Sequence, residues 1–208
     1  FSTEGGETEV SLSDQGPVVG DDRLDEFKSH RHLTPMLSLD NTYDEGGFLE
    51  FDARLRRIFE VDSLPYVVEP KIDGVAVSLT YEHGILRSAV TRGNGVEGDI
   101  ITQNILHIDA LPRAIKSPGL PKVIEVRGEI YMSHLEFLRI NKDREKSALP
   151  LYANPRNLAS GTVKLLDPKE AMERKLEIVL YGLGGCVPQD HFKSLSSFHR
   201  SLDEWGMP

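Results

Sequence analysis

The chain has 208 residues, 39% of them hydrophobic and 27% charged, with a formal net charge of −9, which suits one ordinary domain able to build its own core. No run of about 18 apolar residues exists, so a membrane-spanning helix is excluded, and the single cysteine, Cys186, excludes an internal disulfide or a four-cysteine zinc site in this piece. The charge is uneven: residues 1–26 hold eight acids and one base, the other 182 hold 25 acids and 23 bases, which argues against broad nonspecific nucleic-acid binding but permits a local basic groove.

Residues 1–22 are rich in Ser, Thr, Glu, Gly and Asp and read as a flexible acidic lead. They show no basic-then-apolar leader pattern, so a cytoplasmic home is expected. Residues 44–60 predict a helix, with Phe48, Phe51, Leu55, Ile58 and Phe59 on one stripe. A strand is expected over 66–72. Val75–Tyr81 and Ile85–Thr91, joined by Glu82-His83-Gly84, predict a β-hairpin. A short helix is expected within 100–108. Val123–Tyr131 alternates, with Ile124, Val126 and Ile130 on one face and Glu125, Arg127 and Glu129 on the other. Ser133 with Glu136 has the spacing of a capping box. Asn154-Pro155 has the pattern of a helix start, an N-cap followed by proline at the first position. A strand over 176–182 and a helix over 190–205, with Leu195, Phe198, Leu202 and Trp205 as its core stripe, complete the reading. The fold class expected is α+β with antiparallel sheet.

The most informative run is Val67-Val68-Glu69-Pro70-Lys71-Ile72-Asp73-Gly74. In an extended segment Glu69, Lys71 and Asp73 share a face. A lysine between two acids is either a poised nucleophile or part of an exposed ion-paired surface. Gly93-Asn94-Gly95-Val96-Glu97-Gly98 fits the spacing of a dinucleotide-binding turn. It follows the second arm of a hairpin, however, and no parallel crossover comes after it, so tight-turn chemistry is the better reading. Arg92, just before that turn, suits a phosphate. The acids of Glu125-Val126-Arg127-Gly128-Glu129 could contact a ribose or a metal, or simply be a solvated strand face. Arg156, Ser160 and Lys164 recur every four residues and predict one basic ridge, either ordinary surface or a phosphate-contacting edge. His30 and His32 lack the further ligands a metal shell needs, so no metal ligand is assigned.

In combination these motifs resemble one family, the adenylation (nucleotidyltransferase) domain of NAD-dependent bacterial DNA ligases. The resemblance rests on Pro35-Met36-Leu37-Ser38-Leu39-Asp40-Asn41, Val68–Gly74, Thr91-Arg92-Gly93-Asn94-Gly95, Glu125–Glu129, Ala153-Asn154-Pro155-Arg156-Asn157 and Leu180-Tyr181-Gly182, in order and in register. It implies a nucleotidyltransferase (ATP-grasp-like) fold, with antiparallel sheets and flanking helices around a nucleotide cleft. Lys71 would attack NAD to form lysyl–AMP, releasing nicotinamide mononucleotide, and AMP would then pass to the 5′-phosphate of nicked double-stranded DNA. Asp73 would assist the lysine or a magnesium ion. Glu69 would contact adenine, Tyr181 would pack on it, and Ser38 and Leu39 would line the adenosine pocket. Arg92 and Glu129 would hold the ribose side. Arg156 and Lys164 would meet phosphate or DNA.

The resemblance also implies a monomer without membrane contact, and zinc only in a module outside this chain. Residues 23–208 would be a partial domain lacking the family's C-terminal strands, and the segment that grips the nicotinamide half is not recognisable in residues 1–17. Three positions depart from the family pattern. Asn94 replaces an aspartate, Ile100 replaces an acid, and Lys164 replaces an arginine, with loss of bidentate geometry. Two alternatives follow: a catalytically silent nucleotide-binding relative, or an ATP- or GTP-using polynucleotide ligase-type nucleotidyltransferase.

Overall fold

A computed structural model describes residues 26–208; the lead over 1–22 lies outside the described residues. A short strand β1 (Ser29–Arg31) precedes helix α1 (Glu45–Phe59). Then come β2 (Val75–Glu82), β3 (Ile85–Thr91), β4 (Glu97–Asp99) and α2 (Thr102–Ile105). The second half runs β5 (Val123–Tyr131), α3 (His134–Lys146), α4 (Pro155–Val163), α5 (Pro168–Met172), β6 (Glu177–Val187) and α6 (Leu195–Glu204). Four strands form an antiparallel sheet in the order β3-β2-β5-β6, and β1 pairs with β4 in a separate two-stranded ribbon. The architecture is therefore the mixed α+β with antiparallel sheets that the patterning predicted.

The alternation along β5 sets the layers. Ile124, Val126 and Ile130 are buried with Val77, Leu79 and Tyr81 of β2, beneath Leu158, Ala159 and Val163 of α4 and Phe198 and Leu202 of α6. Burying each such side chain is worth about 1.5–3 kcal/mol. The hairpin forms as expected. His83 and Gly84 adopt φ of 49° and 78°, the consecutive positive values that a two-residue turn needs to match strand twist. Asn154 caps α4 by accepting from the Asn157 amide at 2.8 Å, with Pro155 in the first turn. Asp44 caps α1 by accepting from Gly47 at 2.8 Å.

Four expectations are corrected. No strand forms over 66–72; residues 63–73 are irregular, and β2 begins only at Val75. Pro65 and Pro70 lack the N–H that a ladder requires. The capping box at Ser133 does not form, because Ser133 makes no side-chain cap bond. Glu136 instead accepts from Arg139 Nε and Nη2, at 2.7 and 2.6 Å, and from the Lys175 amide at 3.0 Å. The stripe of α1 is not covered: the helix has no buried residue among those described. On α6, Phe198 and Leu202 enter the core while Leu195 stays exposed.

The hydrogen bonds from the Arg139 guanidinium hold the Glu136 carboxyl below its usual value of 4.5, against the opposing effect of burial. A depressed folded value contributes stability above the unfolded value and loses it as pH falls through the folded one. Glu136→Gln is expected to cost about 1–3 kcal/mol at pH 7 and to flatten the acid side of the stability profile. Urea unfolding of both proteins from pH 7 down to pH 3 checks this; parallel profiles would contradict it.

Candidate active site

The polar face of β5 is the floor of the site. Register places Thr80, Ser78 and Ala76 of β2 beside Glu125, Arg127 and Glu129. On the other side β6 is irregular. Arg127 pairs with Gly182 and Gly128 with Leu180, so Tyr181 is an extra residue without a partner. Glu125 pairs with Gly185 and Val126 with Leu183, which makes Gly184 a second extra residue. Such bulges re-aim side chains, and Tyr181 lies within electrostatic reach of Glu129, Arg127 and Arg92. At Gly184 a Cβ would fall 2.1 Å from Glu125 Oε1, so only glycine leaves room for that carboxylate.

One end of this floor is covered by the segment after β1. Glu125, 1% exposed, accepts from the Leu33 amide at 2.7 Å and meets Arg127 Nη2 at 3.3 Å. Arg127 Nη2 also donates to Thr34 O and Oγ1, both at 2.7 Å, and Thr34 Oγ1 donates to Gly184 O. His32 is buried and its Nε2 donates to Arg92 O at 3.1 Å; burial pulls its pKa below the ordinary value. The His32 and Met36 amides donate to Val96 O and Gly95 O at 3.0 and 2.7 Å. The segment is thus strapped to both the sheet and the turn after Arg92.

The turn itself explains one departure from the family pattern. Gly93 and Gly95 have φ of 57° and 92°, and Asn94 Oδ1 accepts from the Val96 and Glu97 amides at 2.9 and 3.0 Å. An aspartate would use the same oxygen, so Asn94 preserves what the turn requires. No βαβ unit surrounds it, in keeping with the tight-turn reading. Ile100 bridges Val90, and its amide donates to Lys28 O at 2.9 Å, so its backbone knits β1 to β3.

The uncovered end holds the lysine. Lys71 and Asp73 are exposed on the chain entering β2, and Arg156 Nη1 meets Asp73 Oδ1 at 3.1 Å. Glu129, half-buried, feels Lys71, Arg156 and Asp73 together. Burial pushes its carboxyl pKa up and outweighs the lowering by Lys71, the Gly74 amide and Arg156. Burial and the Glu129 charge likewise raise the Tyr181 phenol. Arg92 Nε and Arg127 Nε are both buried without a hydrogen-bond partner among the described residues. Two unsatisfied guanidinium donors beside a carboxylate and a tyrosine are suited to an anion with a polar ring system.

The structure thus brings Lys71, Asp73, Arg92, Glu129, Tyr181 and Arg156 into one neighbourhood. Ser38 is half-buried at the end of the strap, whereas Leu39 and Glu69 are exposed. Lys164 is not on an open ridge with Arg156: its side chain is 9% exposed and its Nζ lies 3.2 Å from Asp99 Oδ2. Sequence reasoning assigned no site role to Arg127 or His32, and offered Glu125 only as one of two strand acids that could contact a ribose or a metal; the alternation of β5 was the signal for both strand residues. A cleft of about 610 Å³, lined by residues including Asp40, Asn41, Phe48, Phe51 and Arg54, lies beside the first turn of α1, and Lys71 is not among its lining residues.

Comparison with known proteins gives these positions their context. Residues 24–208 match the NAD-dependent DNA ligase adenylation domain family. The chain belongs to that family. It is 55% identical over 194 residues to "DNA ligase 1" of Opitutus terrae, covering 91% of this chain and 29% of that protein. A "DNA ligase" of Desulforudis audaxviator is 49% identical over 181 residues, covering 86% of this chain and 27% of that one. "DNA ligase 2" of Opitutus terrae is 42% identical over 191 residues, covering 91% and 27%. The adenylation-domain chain therefore spans under a third of the length of these relatives.

Magnesium, which the resemblance implies, keeps most of its waters and takes one or two protein carboxylates together with phosphate oxygens. Asp73 and Glu129 fit that demand; a closed protein cage does not arise, since no group of three metal-binding side chains occurs among the described residues. No helix among those residues is long and apolar enough to cross a membrane.

A raised folded pKa means that folding disfavours ionised Glu129, a cost present above the folded value and relieved as pH falls through it. Glu129→Gln is therefore expected to unfold at an equal or higher temperature than the parent at pH 8. Calorimetry of the two proteins checks this, and a clear drop in the midpoint would contradict it.

Proposed function

We propose that this chain is the nucleotidyltransferase core of an NAD-dependent DNA ligase, in which Lys71 takes up AMP. The observation that carries the reading is the convergence of Lys71, Glu129, Tyr181 and Arg92 on one sheet face, with two buried guanidinium nitrogens still seeking an acceptor. In this reading Lys71 Nζ attacks the α-phosphorus of NAD. The N–P bond forms, the bridging P–O bond breaks, and nicotinamide mononucleotide leaves. Arg92 and Arg127 hold negative charge that grows on the phosphate. Glu129 accepts from the ribose hydroxyls, Tyr181 stacks on the purine, and Ser38 and Leu39 line the adenosine from the strap. Glu69 reads the adenine edge from the irregular arm. Asp73, oriented by Arg156, faces the amine. Bound magnesium would supply charge neutralisation between phosphate and Asp73 or Glu129.

AMP then passes to the 5′-phosphate at a nick in double-stranded DNA, and the 3′-hydroxyl displaces it. Arg156 stands at the open end, where a nucleic-acid phosphate would arrive. In this reading the protein works in the cytoplasm as a monomer, with NAD and nicked DNA as its partners. Zinc belongs to modules outside this stretch.

Full-length protein incubated with NAD is expected to gain the mass of AMP on Lys71, and Lys71→Met to gain none. ATP is expected not to substitute. NAD binding without modification would support the silent relative, and labelling by ATP alone would support the ATP-using one. Arg127→Met is expected to raise KM for NAD about tenfold, the loss of one charge-assisted contact. Residues 1–208 alone, under a third of the relatives' length, are expected not to seal a nicked plasmid; closed circles by gel would refute that.

A further inference from the structure

The ion pair between Lys164 and Asp99 is the most buried one in the described structure, with side chains 9% and 0% exposed and Nζ 3.2 Å from Oδ2. Its two partners belong to the elements that carry the two halves of the site. Asp99 closes β4, opposite Ser29 in the ribbon with β1. Its amide donates to Thr91 Oγ1 at 3.1 Å, and Thr91 directly precedes Arg92. Lys164 is the C-cap of α4, whose first turn carries Arg156, the partner of Asp73. Lys164 lies eight positions after Arg156, about 12 Å along a helix. The next residue makes a second tie at the same end, where Asn104 Nδ2 donates to Leu165 O at 2.6 Å.

We propose that Lys164 and Asp99 act as a positioning strut that locks α4 to the Arg92 turn, so that Arg156–Asp73–Lys71 and Arg92 address the same nucleotide. The proposal rests on the adenylation reading above. Neither residue touches substrate in this account. A buried ion pair is weak evidence of stability, since desolvation cancels most of the attraction, and its best-attested use is to specify one arrangement over others. Both charges lie too deep to meet nucleic acid while they hold each other. The strut accounts for Lys164 within this chain: a short ammonium meets a short carboxylate, where point-charge geometry suffices. A nucleic-acid phosphate contact by Lys164 would require the pair to break.

Neutralising one side alone would unbalance the pair, so the informative variant neutralises both, Asp99→Asn with Lys164→Met, in the full-length protein. The expected result is a fall of about tenfold in the rate of AMP transfer to Lys71 at saturating NAD, the scale of a small misplacement of reacting groups. KM for NAD and affinity for nicked DNA should stay within twofold. Hydrogen exchange should quicken together in residues 92–98 and in the first turn of α4. Unchanged transfer with weakened DNA binding would make Lys164 a nucleic-acid contact and overturn the strut. A lowered melting temperature with unchanged transfer and local exchange would reduce it to ordinary stability, and also overturn it. If the double variant does not fold, Asp99→Glu keeps both charges and only lengthens the strut. A loss of about threefold with the same joint loosening then supports the proposal, and parental behaviour overturns it. If even the parent takes up no AMP, the adenylation reading fails, and exchange alone decides whether α4 and the turn are coupled.

Discussion

Strand β5 holds the molecule in register. Its odd and even positions face opposite chemical worlds, with Ile124, Val126 and Ile130 in the core and Glu125, Arg127 and Glu129 on the polar face. A slip of one residue against β2 would exchange those sets, moving three charges into hydrocarbon and three apolar side chains to the polar face. The cost of burying unpaired charge makes that slip prohibitive. Because β5 is central in the sheet, its register dictates where Ala76, Arg92 and Tyr181 stand. The site is thus a by-product of a packing constraint, expressed on the other side of the same strand.

The two ends of the polar face are treated differently. At the Glu125 end the carboxylate and Arg127 Nη2 are spent on the Leu33 amide and on Thr34, which ties down the segment leading to Ser38, while Arg127 Nε stays without a partner among the described residues. Charge-assisted bonds in a dry setting are strong and directional, so the strap is held firmly. At the Glu129 end the sheet meets an arm with few anchors. Among the described residues none from 37 through 73 is buried, although Met36 before and Gly74 after are. Within the arm, Phe48 packs on Tyr66 with centroids 5.4 Å apart, and Tyr66 donates to Asp52 at 2.8 Å. Few buried apolar contacts mean low local stability. A lysine on such an arm, above a firmly packed floor, can shift without disturbing the core.

Two departures from the family's usual residues take their meaning from the structure. Asn94 is a backbone acceptor in a turn, a task in which its oxygen equals that of an aspartate. Lys164 is a buried partner rather than a surface contact. Neither disturbs the groups that meet at Glu129, which feels Lys71 and Arg156 and in turn acts on Tyr181, itself within reach of Arg92.

Sequence patterning by itself determined the elements whose period is strong: the β2–β3 hairpin with its His83-Gly84 turn, the alternating β5, the Asn154-Pro155 start of α4, and the buried pair Phe198 and Leu202 on α6. It also singled out Lys71 by its flanking acids, whereas Tyr181 and the roles expected of Arg92 and Glu129 came from the family resemblance, whose short motifs keep residues at fixed offsets. Tertiary structure alone decided the rest. The two bulges of β6 depend on pairing with β5, which no local pattern encodes. The exposed stripe of α1 and the irregular arm over 66–72 depend on whether a partner surface or a neighbouring strand exists, and amphipathic period cannot report that. The fate of Lys164 depended on Asp99, 65 residues earlier in the chain, because a helical spacing of four says which residues share a face but not what that face meets.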